Sequence, residues 1–290
     1  MTNLAQSPVW FTDRDEDQAL SLRYTGDILF DETSDFQRVR VIDTYRYGKA
    51  LLIDEMFMCT EQDEFHYHEM IVHPGMLAYP DIKHVLVIGG GDGGTVRELI
   101  KHPQIETITM VEIDQTVVEA SRQHLPHIAQ ALNHPKLNLI IGDGITYVAQ
   151  GEDQTYDLVI IDGSDPVGPS KGLFSAEFYG HCDRILKPKG LLITQAESPS
   201  FHRETFVELN QCLKGIFGPS QVKILLFPIP TYPSGLWSFQ VAVKGGIDLV
   251  NPDRAIVETF TAKEKLQYYN YEIHQAAFAL PNYVKTMVKE

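Results

Sequence analysis

Four carboxylates stand at the ends of successive apolar runs in the middle of the chain: Asp92, Glu112, Asp143 and Asp162. Asp92 is the most telling, because it lies inside a glycine loop, VLVIGGGDGGTVRE (Val85–Glu98). A glycine loop between a strand and a helix offers backbone N–H groups and the positive helix end to an anion. A carboxylate in the middle of that loop opposes a phosphate and favours a cation. Gly89, Gly91 and Gly93 supply the turn, and Glu112 follows about twenty residues later, where an acid takes ribose hydroxyls. Asp143, in IIGDG, is placed to accept a hydrogen bond from an adenine amino group. Strand-end acids also serve as N-caps of the helices that follow, but four along one rim exceed what capping requires. A dinucleotide would bring its pyrophosphate against Asp92. The expected ligand is therefore an adenosine-type molecule with a positive centre and no phosphate, such as an S-adenosyl sulfonium. A donor without its α-carboxylate suits Asp92 beside Asp162, although methyltransferases also keep an acid near this loop to hold the donor's amine.

A second segment, IDGSDPVGPSKG (Ile161–Gly172), carries Asp162 and Asp165 on either side of a short turn. Pro166, Gly168, Pro169 and Gly172 follow, a pattern that fits a lid over the strand ends or a plain turn. Two carboxylates near a positive electrophile suggest a second substrate that is also cationic, with one acid near each end.

The elements that must hold these residues are legible from periodicity. From Lys83 onward apolar strands alternate with amphipathic helices: HVLVIG, then TVRELIKH; TITMVEI, then TVVEASRQHL; LNLIIGD; YDLVIIDGSD, then SAEFYGHCDRIL; GLLITQ, then ETFVELNQCLKGIF. Further strands are expected near Lys223–Phe227 and Trp237–Val243. This alternation predicts an α/β fold with a parallel, doubly wound, Rossmann-like sheet whose ligands bind at the carboxyl ends of the strands. Residues 1–72 read as a smaller β-rich unit, with alternation over Gln37–Ile42 and an apolar run at Ala50–Asp54, followed by a helix over Asp63–Val72. The Pro- and Gly-bearing HPGMLAYPD stretch suggests the division, giving an N-terminal β-strand domain over 1–72 and a catalytic domain over 73–290. Phe174, Phe178, Cys182 and Ile185 fall at helical spacing and are expected in the core.

Bulk properties narrow the classes. The chain has 290 residues, 43% of them hydrophobic, and a formal net charge of −15. That charge repels nucleic acid and anionic membranes, so neither is an expected partner. No apolar run reaches membrane-spanning length, and MTNLAQSPVWFTDRDEDQ lacks the basic and apolar regions of a secretory signal. Cys59, Cys182 and Cys212 show neither metal nor disulfide spacing, which fits a reducing cytoplasm. His66, His68 and His73 in FHYHEMIVHP could suggest a metal, but His66 and His68 point to different helix faces. Packing and hydrogen bonding are the expected roles, and no metal site is assigned.

From these residues and the motifs around them, the chain is identified as a member of the polyamine aminopropyltransferases. LLIDEMFMCTEQDEFHYHEM, VLVIGGGDGGTVRE, VEID, IGDG, DGSDPVGP, IPTYPSGLWSF and YYNYEIHQAAFALP resemble that family's motifs, in order, from about Gln37 to Pro281. The resemblance implies transfer of an aminopropyl group from decarboxylated S-adenosylmethionine, a co-substrate rather than a resident cofactor, to a diamine such as putrescine. It implies that Asp92, with Gln37 and His68, faces the donor, that Glu112 takes the ribose, and that Asp143 and Gly144 take the adenine edge. It implies that Tyr67, Asp162, Asp165 and Tyr232 surround the diamine, with Gln195 and Trp237 lining the same pocket. Residues 162–172 match the family's gatekeeping loop. Asp162 is the expected base, Tyr67 orients the attacking nitrogen, and Asp165 anchors the far ammonium. A homodimer or homotetramer is expected, with the N-terminal segment in the subunit contact. Three positions depart from the pattern: Glu55 stands for a common glycine, Met58 for a glutamine near the site, and Gly163 for a serine. A methyltransferase, a non-catalytic polyamine-binding protein, and the same transfer to agmatine, cadaverine or spermidine are the alternatives.

Overall fold

The computed structural model describes residues 8–14, 18–164 and 172–289. The first sheet is antiparallel, in the order β1 (Val9–Arg14), β2 (Ala19–Thr33), β3 (Arg38–Thr44), β4 (Gly48–Ile53) and β5 (Met56–Thr60). Alternation in β3 and β4 gives each strand two apolar faces. Val39, Val41, Leu51 and Ile53 pack on Val117, Ala120, Leu125 and Ile128, while Ile42, Ala50 and Leu52 meet Phe11, Leu22 and Phe57. Burial on both faces pins the register of these strands. The turn from β4 to β5 places Asp54 and Glu55 at φ of 48° and 71°. This is the left-handed region that favours glycine, so it accounts for the glycine the family pattern implies at Glu55. Glu55 here pairs with Arg40 and Arg38.

The second sheet has the order β11-β12-β10-β9-β6-β7-β8 among the described residues. Its strands are β6 (His84–Gly89), β7 (Thr107–Glu112), β8 (Leu137–Ile141), β9 (Tyr156–Asp162), β10 (Leu186–Gln195), β11 (Val222–Pro228) and β12 (Leu236–Val243). Five of them, β8-β7-β6-β9-β10, are parallel. The parallel, doubly wound sheet expected from the alternation is present in these five strands, and it becomes mixed at β12, which runs antiparallel to both β10 and β11. The cause is local: only residues 229–235 join β11 to β12, and a link that short makes a hairpin, never a crossover. Strand order, not strand direction, reverses at β6: the chain builds outward through β7 to β8 and then returns to place β9 on the other side of β6, which marks the crevice where such sheets take ligands.

Helices cover both faces. On one side, α1 (Glu64–Ala78) and α2 (Gly94–Ile100) close a core with Met70, Val87, Ile160 and Phe239. On the other, α4 (Gly144–Gln150), α5 (Ala176–Ile185) and α6 (Arg203–Phe217) enclose Leu86, Val159, Phe178, Cys182 and Ile185. Phe174 packs partly buried against that cluster, so the expected core residues of this segment lie where their spacing put them. The helix α3 (Gln115–His124) lies between the second sheet and the first.

The helix α1 runs past Val72 and through Pro74, across the 72/73 division expected from the sequence. A mid-helix proline normally breaks the ladder. Here tertiary burial holds it, since α1 is almost wholly enclosed from Tyr67 to Leu77. A Cβ on Gly75 would stand 2.8 Å from Ile193 Cδ1, so the glycine that looked like a breaker permits close packing on β10. No helix among the described residues is long and apolar enough to cross a membrane.

Candidate active site

The site grows from the ends of β6, β7 and β9. Register pairs Gly89 with Asp162 directly across β6 and β9. Gly89 has φ +83°, and a Cβ there would lie 2.2 Å from the Asp162 carbonyl oxygen. Only glycine fits that approach, and the Gly90 N–H then donates to the same carbonyl at 2.9 Å. A side chain at Gly94 would strike the His68 ring at 2.3 Å, so the start of α2 sits directly on α1. Gly91 donates its N–H to Glu112 Oε2 at 3.1 Å. Gly93 does not line the crevice: it caps α2 at φ +87° and packs on Leu132, so its part is in shaping the loop.

Asp92 projects into the crevice and accepts from the Gly94 N–H at 2.7 Å. His68, on α1, lies between two carboxylates, with Nδ1 2.5 Å from Glu64 Oε2 and Nε2 3.3 Å from Asp92 Oδ1. Burial disfavours its charged form, yet Asp92 and Glu64 hold the imidazolium well above the ordinary histidine range. For Asp92 burial works upward, and His68 with the Gly94 N–H outweighs it, leaving the carboxyl below its usual value. Glu64 is itself clamped by both Arg97 terminal nitrogens, at 2.7 and 2.8 Å. Arg97 Nε donates to Glu98, which also meets His73 and Lys101. A buried ion lattice thus locks α1 to α2 behind the glycine loop.

Asp162 closes the crevice at the end of β9. The Tyr67 hydroxyl donates to its Oδ1 at 2.8 Å and the Thr95 hydroxyl to its Oδ2 at 2.6 Å. Burial and then Asp92 push its carboxyl upward, against His68, Thr95 and Tyr67. Glu112 is pushed up to about 7 by burial, although the Asp114 and Gly91 N–H groups pull the other way. Asp143 realises the capping role, since it accepts from the N–H groups of Ile145 and Thr146 and from the Thr146 hydroxyl. It still lines the crevice with Gly144. Asp114, not Glu112, caps α3.

Gln37, Tyr67, His68, Gly89, Gly91, Asp92, Glu112, Asp143, Gly144 and Asp162 line one cavity. A second opens beside it, lined by Tyr67, Gln195, Tyr232 and Trp237, with Asp13 and His202. Met58, Tyr67, Gly163, Ser164 and Tyr232 belong to both walls, so the two chambers meet at Tyr67. The Tyr232 hydroxyl donates to the Met58 carbonyl at 2.6 Å, and its ring stands edge-on to Trp237. A Cβ at Gly163 would press on Leu173 at 3.0 Å. Asp165 and the rest of 165–171 lie outside the described residues.

Several neighbours went unread in the sequence. Glu64 stands four residues before His68 on a helix, a spacing that signals the pair. Thr95 follows the last loop glycine and gave no signal of its own. Glu197, at φ +64°, exchanges two hydrogen bonds with the Gln195 amide and sits 2.6 Å from His202 Nδ1. Asp13 arrives from β1, where it accepts from the Phe57 N–H. The three histidines of FHYHEMIVHP disperse: His66 stacks on Tyr268 and His73 pairs with Glu98 and His102. No group of three such side chains among the described residues is arranged to hold a metal.

Residues 64–252 match the family model described as the spermine/spermidine synthase domain, and residues 9–61 match the spermidine synthase tetramerisation domain. The chain is 43% identical to the polyamine aminopropyltransferase of Methanocaldococcus jannaschii, over 97% of this chain and 96% of that one. It is 45% identical to the one from Clostridioides difficile, over 97% and 99%. Among solved structures it resembles a spermidine synthase in complex with the transition-state analogue AdoDATO, at TM-score 0.92 and 34% identity, covering 98% and 97% of the two chains. The spermidine synthase from Thermotoga maritima matches at TM-score 0.91 and 34% identity, covering 98% and 96%.

Proposed function

Because this chain belongs to the spermine/spermidine synthase family of polyamine aminopropyltransferases, we propose that it carries the aminopropyl group of decarboxylated S-adenosylmethionine to putrescine. The products are spermidine and 5′-methylthioadenosine. The observation that carries this reading is the junction at Tyr67. One chamber lined by a glycine loop and acids opens there onto another lined by Tyr232, Gln195 and Trp237.

The donor's adenosine lies along Glu112, Asp143 and Gly144, with its cationic arm toward Asp92, Gln37 and His68. The acceptor extends from Tyr67 and Asp162 toward Gln195, Tyr232 and Trp237, with Asp165 for its far ammonium. A primary alkylammonium titrates near ~10.4, so the attacking nitrogen must first lose a proton. Asp162, with Tyr67 on its Oδ1, receives it. The nitrogen then attacks the carbon next to the sulfonium as the C–S bond breaks, and its electron pair leaves on a neutral thioether. A neutral leaving group asks for no oxyanion hole and no cofactor. Alignment of two bound reactants supplies much of the rate. The enzyme acts as a homotetramer in the cytoplasm on this reading, supported by the match of residues 9–61.

The test is a mass-spectrometric product assay with decarboxylated S-adenosylmethionine and putrescine, cadaverine, agmatine and spermidine in parallel. Spermidine formed fastest, from putrescine, is the expected result. Preference for another amine overturns the acceptor. Methyl transfer from intact S-adenosylmethionine, with no aminopropyl transfer, overturns the reaction.

A further inference from the structure

We propose that Thr95 is a positioning residue for the reaction: its hydroxyl holds Asp162 Oδ2, so that Oδ1, shared with Tyr67, is the oxygen that takes the proton of the attacking amine. The inference rests on the assignment of Asp162 as base given above. Thr95 is fully buried on the first turn of α2, and its hydroxyl lies 2.6 Å from Oδ2. On the same side a Cβ at Gly90 would approach Oδ2 to 3.0 Å, so the backbone walls that oxygen in. Oδ1 is bonded to the Tyr67 hydroxyl, and Tyr67 is the residue at which the two chambers meet. The carboxylate plane is therefore fixed by two donors from two helices, with one oxygen turned inward and the other toward the reactants.

Thr95 also bears on when Asp162 is ionised. The titratable groups around it, among the described residues, are Tyr67 and His68 from α1, Asp92 from the glycine loop, Glu112 from β7 and Tyr232 after β11. Asp92 and burial favour the protonated form, and His68, Thr95 and Tyr67 favour the carboxylate. A hydroxyl donor stabilises only the charged form, so its loss raises the pH at which Asp162 becomes a base.

Thr95→Val keeps the branched shape and removes the hydroxyl, and Thr95→Ser keeps the hydroxyl. The acid limb of kcat/KM for the amine is expected to move up by about one pH unit in Thr95→Val, a roughly tenfold loss below the limb. Thr95→Ser should retain the original profile, and 5′-methylthioadenosine should bind all three proteins equally. A second readout needs no turnover. The infrared carbonyl stretch of protonated Asp162, identified by its loss in Asp162→Asn, should titrate at higher pH in Thr95→Val. Thr95→Ala replaces Thr95→Val if the latter does not fold. An acid limb and an infrared titration that both stay in place overturn the inference. Absence of aminopropyl transfer by the unaltered protein overturns the functional reading instead, and the infrared titration then decides Thr95 alone.

Discussion

If Glu112 takes the donor's ribose hydroxyls as proposed, it makes donor binding a function of pH. Its two oxygens already accept from the Asp114 N–H at 2.9 Å and the Gly91 N–H at 3.1 Å. Each retains a lone pair for a ribose hydroxyl only while the group is a carboxylate, since a proton on either oxygen turns an acceptor into a donor. Burial raises it from the ordinary 4.5 to about 7, a displacement worth ~3 kcal/mol at 1.36 kcal/mol per unit. Above about 7 the carboxylate is formed and binding is at full strength, and below that each unit of pH weakens binding tenfold. Between pH 8 and pH 6 the Kd should rise by about tenfold. The probe is 5′-methylthioadenosine, which carries the ribose without the sulfonium or the amine, so Asp92 and His68 do not enter. Calorimetric titration across pH 5.5–8.5 measures the slope, and about one proton should be released per ligand bound near pH 6, seen as a dependence of the heat on buffer. Glu112→Gln should bind more weakly with no such slope. A Kd flat from pH 6 to pH 8, or the same slope in Glu112→Gln, refutes the reasoning.

Asp162→Asn should lower kcat by roughly 10²–10⁴-fold while 5′-methylthioadenosine affinity is kept; turnover near normal removes its role as base. Asp165→Asn should raise the KM for the diamine with a smaller effect on kcat, and an unchanged KM withdraws the anchor. Glu69 accepts the backbone N–H groups of Gln267, Tyr268 and Tyr269 at 2.8–2.9 Å. Glu69→Ala orphans all three, at about 1 kcal/mol or more each, so thermal melting should fall by several degrees, with exposure of 267–269 to limited proteolysis; an unaltered melt contradicts this.

How much of this was readable from the residues depends on the range of the interaction. The strand ends were legible because apolar runs stop where acids begin, and the rim of Asp92, Glu112, Asp143 and Asp162 is found there. The direction of β12 was not legible from periodicity, which is the same for parallel and antiparallel strands; only the short link to β11 fixes it. The end of α1 was misjudged because Pro74 and Gly75 carry a local breaker signal that burial overrides. The Glu64–Arg97 clamp joins residues 33 positions apart, and Thr95 reaches Asp162 across 67. Neither separation leaves a mark on composition or spacing. Asp13 in the second cavity is further out still, delivered by β1 from the other sheet.

The two chambers are built from different materials. The proposed donor chamber includes a stretch of backbone, Gly89–Gly91, where a Cβ on Gly89 would lie 2.2 Å from the Asp162 carbonyl oxygen. The proposed acceptor chamber is set apart by side chains from separate elements, Gln195 at the end of β10 and Trp237 on β12, while Met58 on β5 and Tyr232 before β12 are shared by both chambers. On the proposed reading, substitutions at Gln195 and Trp237 are expected to alter the shape and polarity of the acceptor chamber. Selection and engineering therefore act unequally on the two halves. On the proposed reading, donor recognition is tied to the path of the chain at the glycine loop, while the choice of amine depends on individual side chains.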